Sequence, residues 1–242
     1  MIVERTTVEL VTPSGPMRTS IHRPVAEGRR RAIALFSEIY QETGPIARMA
    51  AMVAGHGFVV AVPEIFHELE PAGTVLAYDK AGTDAGNHHK TAKSVAAYDA
   101  DARAVVDHLV SRSDVSGGIG ALGVCIGGHL AFRCAFDPRV GATACFYATD
   151  VHTGKLGLGG DDSLARAGEI HGDLAMFWGR QDPHVPDEGR AKIQSRLADT
   201  KVRFTWHELN AAHAFMRDEG PRYDPALALS CYRAVIDLFA RL

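Results

Sequence analysis

Near the middle of the chain, Gly123-Val124-Cys125-Ile126-Gly127-Gly128 sets one cysteine between glycines two positions before and after it. The pattern is G-x-S-x-G with a thiol in place of the hydroxyl, the signature of a nucleophile on a sharp strand-to-helix turn. The spacing has a steric cause. A strand that turns directly into a helix crowds the neighbours of the turn residue, so those neighbours must be small. The turn exposes the side chain and aims the Ile126 backbone N–H where an oxyanion would form. It also sets the thiol at a helix N-terminus, which stabilises a thiolate. Two later segments complete the chemistry. Asp182 lies in Gly179-Arg180-Gln181-Asp182-Pro183-His184-Val185-Pro186, and His213 in Asn210-Ala211-Ala212-His213-Ala214-Phe215. Nucleophile, acid and histidine thus follow in the chain order that such an elbow requires of its partners. His213 would move the proton, and Asp182 would fix its tautomer and orientation.

Such groups need a scaffold that brings distant loops to one edge, and the pattern along the chain supplies it. Strands are expected over residues 3–11, 17–23, 32–36, 58–62, 119–124, 142–147, 173–178 and 202–207, from short apolar runs bounded by turn residues. Helices are expected where Ile46, Met49, Ala50 and Val53 recur after Pro45, and where Val95, Tyr98, Ala102, Val105, Val106 and Leu109 recur. Further helices are expected over 127–136, 187–197 and 224–242, the last with Asp224 as N-cap and Pro225 at its first position. Strands alternating with helices predict an α/β fold, a mostly parallel central sheet with helices on both faces. Such sheets bind ligands beyond the carboxyl ends of their strands, and Cys125, Asp182 and His213 each follow one. Residues 1–242 are read as a single domain, with 64–93 and 154–169 as loops covering the surface. The 64–93 stretch shows no regular period.

The rest of the sequence narrows the function. With 242 residues, 46% hydrophobic and 23% charged, the chain can bury a full core, which excludes a disordered tail, a collagen-like repeat and a disulfide miniprotein. Lys and Arg number 26 against 29 Asp and Glu, a net charge of −3 without a long basic block, so nucleic acid is not an expected partner. Glu4 and Arg5 stand where a secretory leader would be apolar, and the run 57–62 is far short of the ~18 residues that span a bilayer. The expected setting is cytoplasmic, away from membranes, with thiols reduced. Cys134, Cys145 and Cys231 lie in apolar patterns and read as core. The G-x-G-x-x-G at 118–123 lies before and within a strand, so it is no dinucleotide loop, and no cofactor is expected. Asp84, His88 and His89 lack ligand spacing on a defined helix, so no metal is expected either. His184 reads as an exposed loop residue or a pocket liner.

Glu38 follows the strand at 32–36, in Ser37-Glu38-Ile39-Tyr40, where α/β-hydrolases find their second oxyanion N–H, here that of Ile39. A glutamate there would be partly desolvated, which raises a carboxyl pKa toward neutrality, unless it is simply an exposed loop acid. S-E-I-Y, G-V-C-I-G-G, G-R-Q-D-P-H-V-P and A-H-A-F-M-R together resemble the dienelactone hydrolase family, the carboxymethylenebutenolidases, over roughly residues 32–242. The resemblance implies an enol-lactone hydrolase with a Cys–His–Asp triad acting through an acyl-enzyme. It casts Cys125, His213 and Asp182 as that triad, Glu38 as the acid that contacts and activates the resting thiol, and Ile39 with Ile126 as oxyanion donors. In that family two arginines hold the substrate carboxylate. Arg217, four residues after the histidine, matches one. The second would fall within 64–93, which contains no arginine and instead holds Asn87, His88, His89 and Lys90. Another lactone or a simple ester therefore stands beside dienelactone as the expected substrate. Tyr147 and Trp178, near strand ends, are read as substrate-contacting walls or as sheet core. The expected function is hydrolysis of a small lactone or carboxylic ester by a monomer or small homo-oligomer. The alternative is a non-catalytic binding or sensing protein on the same fold; a thiol redox role lacks a C-x-x-C partner.

Overall fold

The computed structural model describes residues Met1–Leu242. Eight strands form one sheet: β1 (Val3–Thr12), β2 (Gly15–Pro24), β3 (Arg30–Phe36), β4 (Val59–Pro63), β5 (Val115–Val124), β6 (Val140–Phe146), β7 (Asp173–Gly179) and β8 (Phe204–Leu209). Their spatial order is β1-β2-β4-β3-β5-β6-β7-β8. The first two pairings, β1 with β2 and β2 with β4, are antiparallel, and all the others are parallel. Parallel strands need crossovers: α1 (Gly44–Gly55) joins β3 to β4, α2 (Lys80–Ala92) and α3 (Val95–Ser111) join β4 to β5, α4 (Ile126–Cys134) joins β5 to β6 and α5 (Asp187–Ala198) joins β7 to β8. Residues 147–172 link β6 to β7 without an α-helix, and α6 (Pro225–Phe239) closes the described chain. This is the mostly parallel α/β sheet that the alternating pattern predicts.

Period-two alternation divides the core in two. Ala32, Ala34 and Phe36 of β3 face the apolar residues of α3, α4 and α5, whereas Ile33 and Leu35 face those of α1 and α6. Local signals set the helix ends. Asp224 accepts hydrogen bonds from the N–H groups of Ala226 and Leu227, each 3.0 Å, and Pro225 opens α6. Ser94 caps α3 through the Ala97 N–H at 3.1 Å.

Three expectations need correction. The 64–93 stretch is not all loop, because it contains the thirteen-residue α2. Only Gly82 and Gly86 are buried in that helix, so it has no apolar stripe for a periodicity reading to find. The 154–169 loop ends in a short 3₁₀ turn, Ala165–Glu169. Strand β8 lies two residues later than expected, as an edge strand whose residues are all partly exposed or exposed and whose alternation is correspondingly weak.

Candidate active site

The site is built at the carboxyl edge of the sheet. Cys125 follows β5 with φ 59° and ψ −125°, a left-handed conformation that costs a non-glycine residue about 1–3 kcal/mol. The surrounding glycines make room for it. A Cβ on Gly123 would stand 1.9 Å from the Gly127 carbonyl oxygen, and one on Gly127 would stand 2.1 Å from that of Phe36. The other non-glycine residues with positive φ are Gln41, Tyr147, Asp150 and Ala214, and they fall in the loops after β3, β6 and β8. Backbone strain is therefore confined to the edge that carries the candidate chemistry.

His213 is buried on the loop after β8, and its Nδ1 donates to Asp182 Oδ2 at 2.7 Å. Asp182 is also buried, and its other oxygen accepts the His184 backbone N–H at 2.8 Å. Both carboxylate oxygens are thus committed, which fixes the plane of the group and the tautomer of His213. Burial acts to lower the His213 pKa, but the neighbouring Cys125 sulfur and Asp182 carboxylate outweigh it and raise the value to about 10. An imidazolium is the form of His213 that these neighbours favour. The other thiols are unsuited to nucleophilic work, since burial pushes Cys134 and Cys231 up to about 12 and Cys145 higher still.

Two backbone donors stand near the thiol. The Ile126 N–H opens α4 and has no intrahelical acceptor, and the Ile39 N–H bonds to no protein group. Ile39, Cys125 and His213 share a cavity of about 300 Å³ with Tyr40, Thr149 and His184. Thr83, Asn87 and Lys90 of α2 line the same cavity, as do Asp150, Arg217 and Arg222. Lys90 pairs with Asp150 at 2.7 Å, and Arg222 has no carboxylate partner. Lys90, Asn87, Thr83 and Arg222 went unrecognised as a group in the sequence. Their signal was a polar i, i+4, i+7 spacing, which resembles that of any solvated helix face.

Glu38 sits differently from what the resemblance implies. It is 1% exposed, and its oxygens accept from Arg217 at 2.9, 3.0 and 3.2 Å and from the Tyr78 hydroxyl at 3.2 Å. None of its hydrogen bonds reaches Cys125. A guanidinium fork satisfies both carboxylate oxygens at once and is the stronger partner, so Arg217 is bound to Glu38 rather than free for a ligand. The Tyr40 and Tyr78 rings, in edge contact with each other at 4.7 Å, both lie against that guanidinium, with centroids 5.3 and 4.3 Å away.

Two expected wall residues do not line the cavity. Trp178 is fully buried in the core against Trp206, with ring centroids 5.3 Å apart. Tyr147 is buried beneath His213, its ring centroid 5.0 Å away, and supports the imidazole instead of contacting substrate. Burial and then the Glu38 carboxylate push its hydroxyl well above the usual tyrosine pKa. His184, by contrast, lines the cavity and meets the His213 ring edge-on at 4.5 Å.

Comparison with known proteins bears on this geometry at once. The model of the dienelactone hydrolase family matches residues 17–242. The chain belongs to that family. As a member it is a carboxylic ester hydrolase. It is 38% identical over 254 aligned positions to the Saccharomyces cerevisiae protein named "Putative carboxymethylenebutenolidase", covering 100% of this chain and 93% of the relative. It is 25% identical to the carboxymethylenebutenolidase of Pseudomonas sp. strain P51, over 90% of this chain and 87% of the other. Among solved structures, the "Putative Dienelactone Hydrolase" of Klebsiella pneumoniae superposes with a TM-score of 0.83 over 100% of both chains, at 17% identity. At that identity the likeness establishes the shared fold. No helix of this family member is long and apolar enough to cross a membrane.

Proposed function

We propose that this protein hydrolyses a small lactone or carboxylic ester through a thioester on Cys125, within one catalytic domain and in a cytoplasmic setting. The observation that carries the reading is the convergence at one cavity of a strained Cys125, the unengaged N–H of Ile39 and the Asp182-bound His213, with the N–H of Ile126 following Cys125 directly. The thiolate attacks the carbonyl carbon, and the Ile39 and Ile126 N–H groups receive the oxyanion. As the tetrahedral centre collapses, the carbon–oxygen bond breaks and the His213 imidazolium protonates the departing alkoxide. In a lactone that alkoxide stays attached to the acyl group. His213, now neutral, takes a proton from water as the water attacks the thioester. Collapse of the second tetrahedral centre releases the carboxylic acid and restores the thiolate–imidazolium pair.

A cavity of about 300 Å³ suits a small substrate. Of its three wall cations, Arg217 is paired with Glu38 and Lys90 with Asp150, and Arg222 has no carboxylate partner. This charge balance favours a substrate that bears a carboxylate, in keeping with the names of the relatives, and the rim cations Lys90 and Arg222 are the ones open to it. The test is turnover of a panel of lactones and activated esters by wild type and Cys125→Ala. Turnover is expected to vanish in the variant, and a small electrophile should label wild-type Cys125 stoichiometrically. Full turnover by Cys125→Ala would end the thioester reading. Stabilisation by ligands with no turnover across the panel would favour a binding protein instead.

A further inference from the structure

Helix α2 makes few apolar contacts, yet it touches the oxyanion loop at several points. A Cβ on Gly86 would lie 2.6 Å from the Ile39 carbonyl oxygen and 2.8 Å from Ile39 Cβ, so helix and loop meet backbone to backbone. One turn earlier, Thr83 Oγ1 bonds the Tyr40 hydroxyl at 2.8 Å. Ahead of the helix, Leu76 N–H donates to the Tyr40 carbonyl at 3.1 Å, and Gln41 Nε2 donates to the Thr74 carbonyl at 2.8 Å. Beyond its C-terminus, Lys93 is buried, pairs with Asp101 and donates to the Ile65 carbonyl at 3.0 Å. His67 adds a contact to Asp101 at 3.1 Å. The helix is thus held at both ends and pressed at its middle on the residue whose N–H is unengaged.

We propose that α2 is the positioning element of the oxyanion loop, and that Gly86, by letting the helix rest directly on Ile39, fixes where the Ile39 N–H points. This rests on the reading of Ile39 as an oxyanion donor. The polar stripe Thr83–Asn87–Lys90 on the same helix faces substrate, so one element holds the acyl group and sets the donor that stabilises its oxyanion. Gly86 is a positioning residue, because it meets Ile39 and not the substrate.

The consequence runs against helix propensity. Alanine favours a helix interior over glycine, so Gly86→Ala should leave α2 formed. Ordinary contact begins at 3.4 Å, so the new methyl must part helix and loop by about 0.8 Å. Displacing an oxyanion donor on that scale lowers kcat by about 10- to 100-fold. The experiment compares Gly86→Ala with wild type in hydrolysis of an activated ester and in alkylation of Cys125 by iodoacetamide. Alkylation proceeds at a saturated carbon and develops no oxyanion. The expected result is a 10- to 100-fold fall in kcat with KM and the alkylation rate within about twofold of wild type. Gly55→Ala, at a glycine of α1 with open space around its Cβ position, serves as the neutral control.

Unchanged kcat overturns the proposal, and so does alkylation that falls in step with kcat, since the nucleophile and not the donor would then be disturbed. Should Gly86→Ala fail to fold, Thr83→Val decides by removing the bond to Tyr40. A several-fold fall in kcat with alkylation unchanged supports the proposal, and an unchanged kcat ends it. Turnover retained by Cys125→Ala would end the thioester reading itself. Full activity in Gly86→Ala, alongside an inactive Cys125→Ala, would end only the positioning role of α2.

Discussion

Replacing Arg217 by methionine tests whether its guanidinium is a structural counterion or a substrate contact. The Arg217 and Glu38 side chains are 12% and 2% exposed, and they share three hydrogen bonds of 2.9–3.2 Å. Methionine keeps apolar bulk against the Tyr40 and Tyr78 rings but leaves the buried carboxylate with the Tyr78 hydroxyl alone. Breaking a buried pair from one side costs about 3–5 kcal/mol, because the remaining charge stays desolvated. For a chain of this size, each kcal/mol shifts Tm by roughly 2–4 °C, so the fall should be on the order of 10 °C. The assay is thermal unfolding at pH 8 of wild type, Arg217→Met, Glu38→Gln and the double variant. Arg217→Met should be the least stable of the four, and the double variant should recover most of the loss, a coupling that additive effects cannot give. Hydrolysis of a neutral ester should fall as well, since Glu38 adjoins the Ile39 loop. If Arg217→Met held its Tm within about 2 °C, kept its activity on neutral esters and lost only carboxylate-bearing ones, Arg217 would be a substrate contact and the counterion role would be refuted.

Asp182→Asn should lower kcat by about 10²–10⁴-fold, because the amide no longer enforces the His213 tautomer. It should also move the alkaline limb of the pH–rate profile below the value of about 10 that Asp182 helps to set. The stability linked to His213 has the matching sign: it is fully present below the ordinary histidine value of 6.5 and lost as pH rises through about 10, and earlier in the variant, as unfolding against pH would show. Gly127→Ala should deplete folded protein or lower Tm sharply, because its methyl would lie 2.1 Å from the rigid Phe36 carbonyl oxygen; expression and melting check this. Lys90→Gln and Arg222→Gln should each raise KM for carboxylate-bearing esters by about tenfold and leave neutral esters unchanged, the effect of losing one charge-assisted contact. Equal effects on both ester classes would remove the rim cations from substrate recognition.

The candidate edge was legible in the sequence because a sharp strand-to-helix turn fixes residue types around itself. A Cβ on Gly123 would meet the carbonyl oxygen four residues on, and the strands before Cys125, Asp182 and His213 are short apolar runs with sharp ends. Chain order then does the work of three dimensions, since successive parallel strands deliver their loops to one edge. What stayed hidden depends on contacts between distant segments. Nothing within Ser37-Glu38-Ile39 indicates that Glu38 is neutralised by a residue 179 positions away. Helix α2 escaped for a related reason. Its buried face is two glycines and its other faces are polar, so hydrophobic periodicity is silent, although Asp79 does cap it through the Gly82 N–H at 2.8 Å. Trp178 shows why the sequence left wall and core open together: an aromatic residue near a strand end can point into the core as readily as into the cavity.

The cations around the cavity divide by what already holds them, and this separates chemistry from selection. Arg217 is spent on Glu38 beneath the oxyanion loop, Lys90 is held by Asp150 across the rim, and Arg222 is uncommitted. A substrate carboxylate competes poorly for a buried bidentate pair, because it must displace Glu38 and leave that charge desolvated. It competes better for Lys90, because Lys90 and its partner Asp150 are 18% and 19% exposed and neither is fully desolvated when the pair opens. On the proposed reading, selection for an anionic group acts at the rim, through α2 and the turn before α6, while the sheet edge holds the reacting atoms. Lactone or ester preference should then be exchangeable by changing α2 and that turn without touching Cys125, Asp182 or His213. The limit on such exchange is Gly86, where the cover and the oxyanion loop share one contact.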